Sequence, residues 1–419
     1  MAWITQNPPV AGQPPPVPDR LPAPIGARRC DRLELGRQQG VEPTQDSDHY
    51  CEASARLRLG AGFFQAASRP ARDLGVLLAG HLALNGRLRV LDLMAGCGIR
   101  ALRYGQESAA TAVWANDADP DRLPLLEANL APLRQGEIPS LRITSLTAQK
   151  LLADCLVREE RFELIDLDGF GCPTALLPLA LEAVGFGGVL YLASTDGRSP
   201  TGHDRPAAIR RLGAAARAQP SSWELALRLQ LGVIARTAWA MGRGVEPLFS
   251  FSEGRTFRTA VRLQRRIEPG DEALLGMTAH CHRCGDQMVQ PLLRLRDWPS
   301  CCGPDRPLAI SGPLWIGPLQ HRPSLAALAA LAAESSFAPA TTKLLASLIS
   351  DVGVPARCWP TAAIGRRLGG GPPVLADLVE ALRARGWAAN ASGVMPAQLR
   401  TDAPWSLVLE VAGAHNGEP

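Results

Sequence analysis

Lysine is nearly missing from this chain. Of its 44 basic residues only Lys150 and Lys343 are lysines, and the other 42 are arginines. Aromatic side chains are also scarce, at 5% of 419 residues. Long apolar runs are lacking: Arg, Gly or Pro breaks each one well short of the roughly 20 residues that a membrane span needs, which excludes an integral membrane protein. The start, MAWITQNPPV, shows no basic stretch followed by an apolar core, so no secretory signal is expected. Ten cysteines are too few for a disulfide scaffold and suit a reducing cytoplasm, where a cysteine cluster reads as a metal site before it reads as a set of bridges.

What is present is enough for a substantial core. Hydrophobic residues make up 46% of the chain and charged residues 20%, and the length allows two or three domains at roughly 150 residues each. Composition leaves the oligomeric state open, with a monomer as the default. The net charge of +4 is small. Its distribution is uneven: between His203 and Arg266 stand 12 arginines against Asp204, Glu224, Glu246 and Glu253. A general bias toward arginine codons explains much of this. Even so, the planar guanidinium suits phosphate oxygens, and a locally basic stretch points to a polyanionic partner.

The chain divides by pattern. Residues 1–45 carry PPV, PPPVP and LPAP with no apolar periodicity, and are expected to form a disordered, proline-rich tail. Over 46–267 short apolar runs alternate with amphipathic ones. RLRVLDLMAG, TAVWANDADP, LRITSLTA, FELIDLDGFG and GVLYLASTDG read as strands, with helices between them, one of them TALLPLALEAVGFGG. This alternation predicts an α/β domain with a doubly wound, Rossmann-like, mainly parallel sheet, whose ligands bind at the carboxyl ends of the strands. Residues 268–419 change pattern: a Cys/His stretch, then helices, then a strand-like WSLVLEVAG near the end. A smaller α+β C-terminal domain with a winged-helix-like order is expected there.

Asp92-Leu93-Met94-Ala95-Gly96-Cys97-Gly98 fits D-x-x-A-G-x-G at the end of the first strong strand. Gly96 and Gly98 permit a tight turn and close backbone approach to a ligand. Asp92, beside that turn, would repel a pyrophosphate and attract an ammonium group. Asp117 ends the next strand, placed to accept hydrogen bonds from two ribose hydroxyls. Together the four residues predict a site for S-adenosylmethionine; a generic nucleotide turn, or a turn with no ligand, is the alternative. Further along, Asp166 and Asp168 alternate on one strand and so project to the same side. Methylating an exocyclic amine needs an acceptor for its N–H and a flat platform for the base, and Asp168 and Phe170 can supply these. The plainer reading is a helix-capping Asp beside a core Phe.

With these residues in place, the chain resembles the tRNA (guanine-26) N2-dimethyltransferases from about residue 50 to 412. The resemblance is carried by FFQAASRPARDL, VLDLMAGCGIRALRY, WANDAD, IDLDGFGCP, ASTDGRSPTG and LGVIARTAW, and later by GPLWIGPL, AIGRRL and LRTDAPW. It implies methyl transfer from S-adenosylmethionine to N2 of a guanosine in tRNA, usually twice. Carried over by position, it implies that Arg72, Arg100 and Asp117 bind the cofactor, with Thr147 and Ala148 near its adenine. It also makes Asp168 the catalytic acceptor, puts Phe170 in the base pocket and sets Asp196 beside the target base. Two departures stand out: Gly169 replaces the proline of the family's D-P-F-G, and Thr147 replaces an acid.

Some relatives carry two C-x-x-C pairs that hold zinc. Here Cys281 and Cys284 keep that spacing, while Cys301 and Cys302 are adjacent, with Pro299 where the second pair would begin. A structural zinc on Cys281, Cys284, Cys301 and Cys302 and a metal-free knuckle are both open. A paired guanine hides its N2, so the target base is expected to be turned out of its stack, with the arginine-rich 203–266 stretch and the C-terminal domain on phosphates. Two other readings remain: methylation of another amine, such as adenine N6 or a protein, and a tRNA-binding protein whose catalysis has decayed.

Overall fold

The computed structural model describes residues 49–135, 140–303, 308–335 and 337–415. The proline-rich tail expected over 1–45 lies outside the described residues.

A hairpin, His49–Glu52 with Ala55–Arg58, comes first, followed by α1 (Arg69–Ala83). Strands β1 (Arg89–Asp92), β2 (Ala112–Asn116), β3 (Ser140–Thr144), β4 (Phe162–Asp168) and β5 (Val184–Ser194) then alternate with α2 (Ile99–Glu107), α3 (Leu123–Gln135), α4 (Ala148–Val157) and α5 (Leu177–Ala183). After α6 (Arg205–Leu212) and α7 (Ser222–Ala240), the antiparallel pair β6 (Gly244–Glu253) and β7 (Thr256–Gln264) closes one edge. The seven strands lie in the order β3-β2-β1-β4-β5-β7-β6, the first five of them parallel. The order reverses between β1 and β4, and the crevice at their carboxyl ends is where such a sheet binds ligands. This is the doubly wound sheet that the alternating pattern implies.

The parallel strands are apolar on both faces because helices cover both. Val90, Val113, Leu164 and Val189 face α1 and α2, while Leu91, Trp114, Ile165 and Leu190 face α4, α5 and α7. One boundary departs from the sequence reading. VGFGG does not end a helix; it opens β5, and α5 stops at Ala183.

The later residues are less separate than their change of pattern suggests. Strands β8 (Leu275–His280), β9 (Gln287–Pro291) and β10 (Ala309–Trp315) form a three-stranded sheet that lies on α7. The approach is close: a Cβ on Gly232 would stand 2.9 Å from the Leu314 Cα. Helices α8 (Arg322–Ala333) and α9 (Pro339–Ser350) pack on α1, with Leu325, Leu328, Leu345 and Leu348 in its core. A core of its own begins only with β11 (Cys358–Pro360), α10 (Thr361–Leu368), α11 (Leu375–Ala384), β12 (Ala389–Ala391), β13 (Gln398–Thr401) and α12 (Trp405–His415). WSLVLEVAG is therefore helix rather than strand. Trp405, Val408, Val411 and Ala412 recur at helical spacing and are all buried in that core.

Candidate active site

Register brings the acids together. Asp92 of β1 pairs with Asp166 of β4, and β4 runs two residues further, to Asp168. Asp168 pairs with Ala193 of β5, and Ala193 with Arg258 of β7. Because alanine is short, Arg258 reaches across β5. Its Nη1 donates to Asp168 Oδ2 at 3.0 Å, and its Nε donates to Glu253 at 2.7 Å. Arg100, in the first turn of α2, donates to the same Asp168 Oδ2 at 2.6 Å and to Asp166 Oδ2 at 3.0 Å. Asp168 Oδ1 makes no hydrogen bond to the described residues, and the side chain keeps 23% of its surface exposed. One oxygen is thus clamped by two guanidiniums and the other is left for a ligand.

The charges follow from this arrangement. Burial pushes the Asp168 carboxyl up, but Arg100 and Arg258 outweigh it and hold the group at about 2. Asp166 is buried, accepts the Tyr104 hydroxyl at 2.5 Å and has its pKa raised, chiefly by desolvation. Asp92 is pushed well above the ordinary carboxylate range, first by burial and then by the Asp166 charge.

The glycine turn joins β1 to α2. Gly96 and Gly98 hold φ of 55° and 83°, the left-handed region that side chains resist. A Cβ at Gly98 would lie 2.7 Å from Leu126 Cδ1, whereas a Cβ at Gly96 would meet nothing within 4 Å. That free space beside Gly96 is a cradle for a ligand. Asp117 stands across it, its Oδ2 accepting the Gly96 N–H at 2.8 Å and its Oδ1 the Asp119 N–H at 3.0 Å. Thr147 caps α4 by accepting the Lys150 N–H, and Ala148 is buried behind it. The space beside Gly96 and the Asp117 carboxylate fit the glycine-turn and ribose parts of an S-adenosylmethionine site.

Three expected cofactor residues are otherwise engaged. Asp92 is 1% exposed; its Oδ2 accepts the Ala101 N–H at 3.0 Å, and its Oδ1 has no hydrogen-bond partner among the described residues. Arg100 donates to Asp166 and Asp168 at the end of β4. Arg72 makes two hydrogen bonds to Glu52 and donates to the Gln65 and Ala66 carbonyls, so it orders the segment around Phe64 and Gln65. A lone arginine near a glycine turn suggests an anion site; the carboxylates that claim these two lie in other elements.

Phe170 is 79% exposed, as a platform must be, and its ring meets Phe63, 76% exposed, edge-on at 5.4 Å. Phe63, in the motif FFQAASRPARDL, thus forms an exposed aromatic pair with Phe170. The Asp168-Gly169-Phe170-Gly171 loop leans on β5: the Gly171 N–H donates to Thr195 Oγ1 at 2.6 Å, and the Thr195 N–H to the Gly171 carbonyl at 3.0 Å. Asp196 comes close through this link, but both its oxygens are taken. Oδ1 accepts the Arg198 and Ser199 N–H groups, and Oδ2 accepts Arg211 at 2.8 Å. It shapes the loop beside the pocket, and its Oδ2 accepts a hydrogen bond from Arg211 alone among the side chains. Arg258 and Tyr104, which bond Asp168 and Asp166, are residues of this site that sequence reasoning did not find.

The basic stretch splits in two. Arg228, Arg243, Arg258 and Arg262 pair with Glu224, Glu182, Asp168 and Glu246. Arg205, Arg210 and Arg211 are exposed on α6, next to Asp196.

Away from the crevice, the thiol sulfurs of Cys281, Cys284, Cys301 and Cys302 all lie within 4.8 Å of one another. Tetrahedral zinc with bonds of about 2.3 Å spaces its sulfurs by about 3.8 Å, so the four thiols fit that metal. Burial would raise the Cys281 thiol, yet the backbone N–H groups of Cys284 and Arg283 help to lower it to about 7.

Known proteins bear on this geometry. The sequence matches the family described as N2,N2-dimethylguanosine tRNA methyltransferase over residues 58–413. Among curated relatives, the tRNA (guanine(26)-N(2))-dimethyltransferase of Pyrococcus horikoshii is 30% identical, over 81% of this chain and 89% of its own length. That of Thermococcus kodakarensis is 31% identical, over 81% and 90%. The solved complex of Trm1 from Pyrococcus horikoshii with S-adenosyl-L-methionine superposes with a TM-score of 0.77 at 26% identity, covering 87% of this chain and 99% of that one. With the match covering residues 58–413, the chain belongs to the N2,N2-dimethylguanosine tRNA methyltransferase family.

Proposed function

We propose that this protein transfers methyl groups from S-adenosylmethionine to N2 of guanosine 26 in tRNA, first one and then a second. The observation that carries the reading is Asp168: its Oδ2 is clamped by Arg100 and Arg258, while Oδ1 is open beside Phe170 and Phe63. Bound S-adenosylmethionine would supply an electrophilic methyl on a sulfonium, held by the Gly96–Gly98 turn and Asp117, with Thr147 and Ala148 at the adenine side.

The N2 lone pair of guanine is spread into its ring and attacks poorly. Asp168 Oδ1 accepts one N–H, which raises electron density on nitrogen and fixes the amine's direction. Held ionised, the carboxylate is an acceptor at every working pH and receives the proton that the nitrogen sheds after transfer. One N–H remains after the first methylation, and the same oxygen can hold it for a second. Phe170 and Phe63 give the flipped base an apolar face and edge, which duplex stacking would otherwise provide. Arg205, Arg210 and Arg211 on α6 offer phosphate contacts beside the pocket. We assign 46–267 to methyl transfer and 268–419 to holding tRNA, and place the protein in the cytoplasm, where its substrate is.

Incubation with labelled S-adenosylmethionine and tRNA, followed by nucleoside mass spectrometry, tests this. N2-methylguanosine and N2,N2-dimethylguanosine are expected, and are lost when position 26 of the transcript is adenosine. Label in N6-methyladenosine or in protein would overturn the substrate; tRNA binding with no transfer would leave only a binding protein.

A further inference from the structure

The turn that carries Cys281 and Cys284 presents three successive carbonyls to the C-terminal module. The carbonyl of Arg283 accepts Arg367 Nη1 at 2.8 Å, that of Cys284 accepts Trp405 Nε1 at 2.7 Å, and that of Gly285 accepts Trp359 Nε1 at 2.9 Å. The three donors come from α10, α12 and β11, three different elements of the module. The two indoles stack at 5.2 Å with 13° between their planes, which lets both N–H groups aim at neighbouring carbonyls. Gly285 holds φ of 88°, and a Cβ there would stand 3.1 Å from the Trp405 ring, so the turn is fitted closely to the indole.

The same turn is the one a metal would fix. Three adjacent carbonyls point outward together only while the backbone between the two thiolates keeps its tight bend, and four thiolates on one ion impose that bend. A second fastening lies deeper. Arg400 of β13 is buried and bonds Glu224 of α7 and Asp351. It anchors the module to the methyltransferase body, where the Gln287 side chain also bonds the Cys358 backbone and Ser252 Oγ donates to the Val394 carbonyl. The cysteine turn lies apart from these in sequence and adds an attachment to α10, β11 and α12.

We propose that the four-cysteine centre is a metal-dependent docking socket, and that Trp359, Arg367 and Trp405 are positioning residues that set the angle of the C-terminal module over the active site. The proposal rests on the tRNA reading for its consequence, though not for the docking itself. Loss of the metal would leave the fold and cofactor binding intact while loosening the grip on tRNA.

The experiment compares zinc-loaded protein, protein treated with a chelator, and Trp405→Phe, which keeps the ring and removes only the donor. Hydrogen exchange by mass spectrometry is followed in 281–286 and 398–412, together with S-adenosylmethionine affinity and the KM for tRNA. Faster exchange in both segments is expected for chelated protein and for Trp405→Phe. KM for tRNA should rise about tenfold, the loss of one well-placed hydrogen bond in a buried interface, with cofactor affinity unchanged. Protein purified without oxygen and with zinc present that binds no metal would overturn the proposal, as would unchanged exchange in 398–412 after chelation. Exchange needs no substrate, so wild-type protein inactive on tRNA would sink the functional reading while the docking claim is still decided.

Discussion

Replacing Asp168 by asparagine isolates the charge on the acceptor from its shape. The structure sets the cost. Arg100 keeps Asp166, and Arg258 keeps Glu253, so neither guanidinium is left without a carboxylate. The variant should therefore stay folded. What it loses is an ionised acceptor facing the amine, whose hydrogen bond is worth about 1.5–3 kcal/mol, plus the orientation that the two arginines impose. A fall of about 100- to 1,000-fold in the single-turnover rate follows, within the range seen when a positioned proton acceptor is removed. Binding of tRNA, read by filter retention, should change less than about threefold, because phosphate contacts carry most affinity. The pH profile is the sharper half. Asp168 is held at about 2 against the ordinary value, so its folded form is depressed, and its contribution is present at neutral pH and lost only as pH falls through about 2. The wild-type rate should show no ionisation of this group between pH 5 and 9. An inflection between pH 5 and 7 that disappears in Asp168→Asn, or a variant as fast as wild type, would refute the assignment.

Phe63→Ala and Phe170→Ala should each lower kcat/KM for tRNA by about three- to tenfold, the value of an aromatic pair of roughly 0.5–1.5 kcal/mol, with cofactor affinity unchanged by isothermal titration. Gly98→Ala forces a side chain into φ of 83° and a Cβ to 2.7 Å from Leu126 Cδ1, and should weaken S-adenosylmethionine binding before it affects tRNA binding. Arg400→Ala leaves Asp351 in the interior without its arginine, while Glu224 keeps Arg228, and should cost about 3 kcal/mol in denaturant unfolding; a loss below about 1 kcal/mol would mean that the network carries no weight.

The parts of the site legible in the sequence are those that local rules govern. A strand ending in an acid and a glycine turn gave Asp168, Gly96 and Gly98, and the alternation of strands with helices gave the sheet that brings them to one crevice. Asp117 came from the same rule one strand later, and the structure brings its carboxylate to the Gly96 amide. The parts that were not legible depend on distant partners. Arg72 and Arg100 stand where a cofactor anion would want them, and nothing nearby in the chain announces that Glu52, Asp166 and Asp168 claim them. WSLVLEVAG has strand-like composition, yet burial of Trp405, Val408 and Val411 against one core selects the helix.

Arg258 shows most clearly why the mechanism exceeds the motif. Motif reading supplies an aspartate at a strand tip but leaves its protonation undecided, since burial beside Asp166 and Asp92 would by itself raise its pKa. Arg100 is the larger opposing charge, and a second guanidinium arrives 90 residues after Asp168, on an antiparallel strand, through a register that puts Asp168, Ala193 and Arg258 in one line across the sheet. A larger residue at 193 would block that line, because Ala193 is buried between the two. Asp168 would then answer to Arg100 alone, and its carboxyl would rise toward the ordinary range. The small side chain at 193 is thus what lets a second guanidinium reach the same oxygen of Asp168 that Arg100 holds.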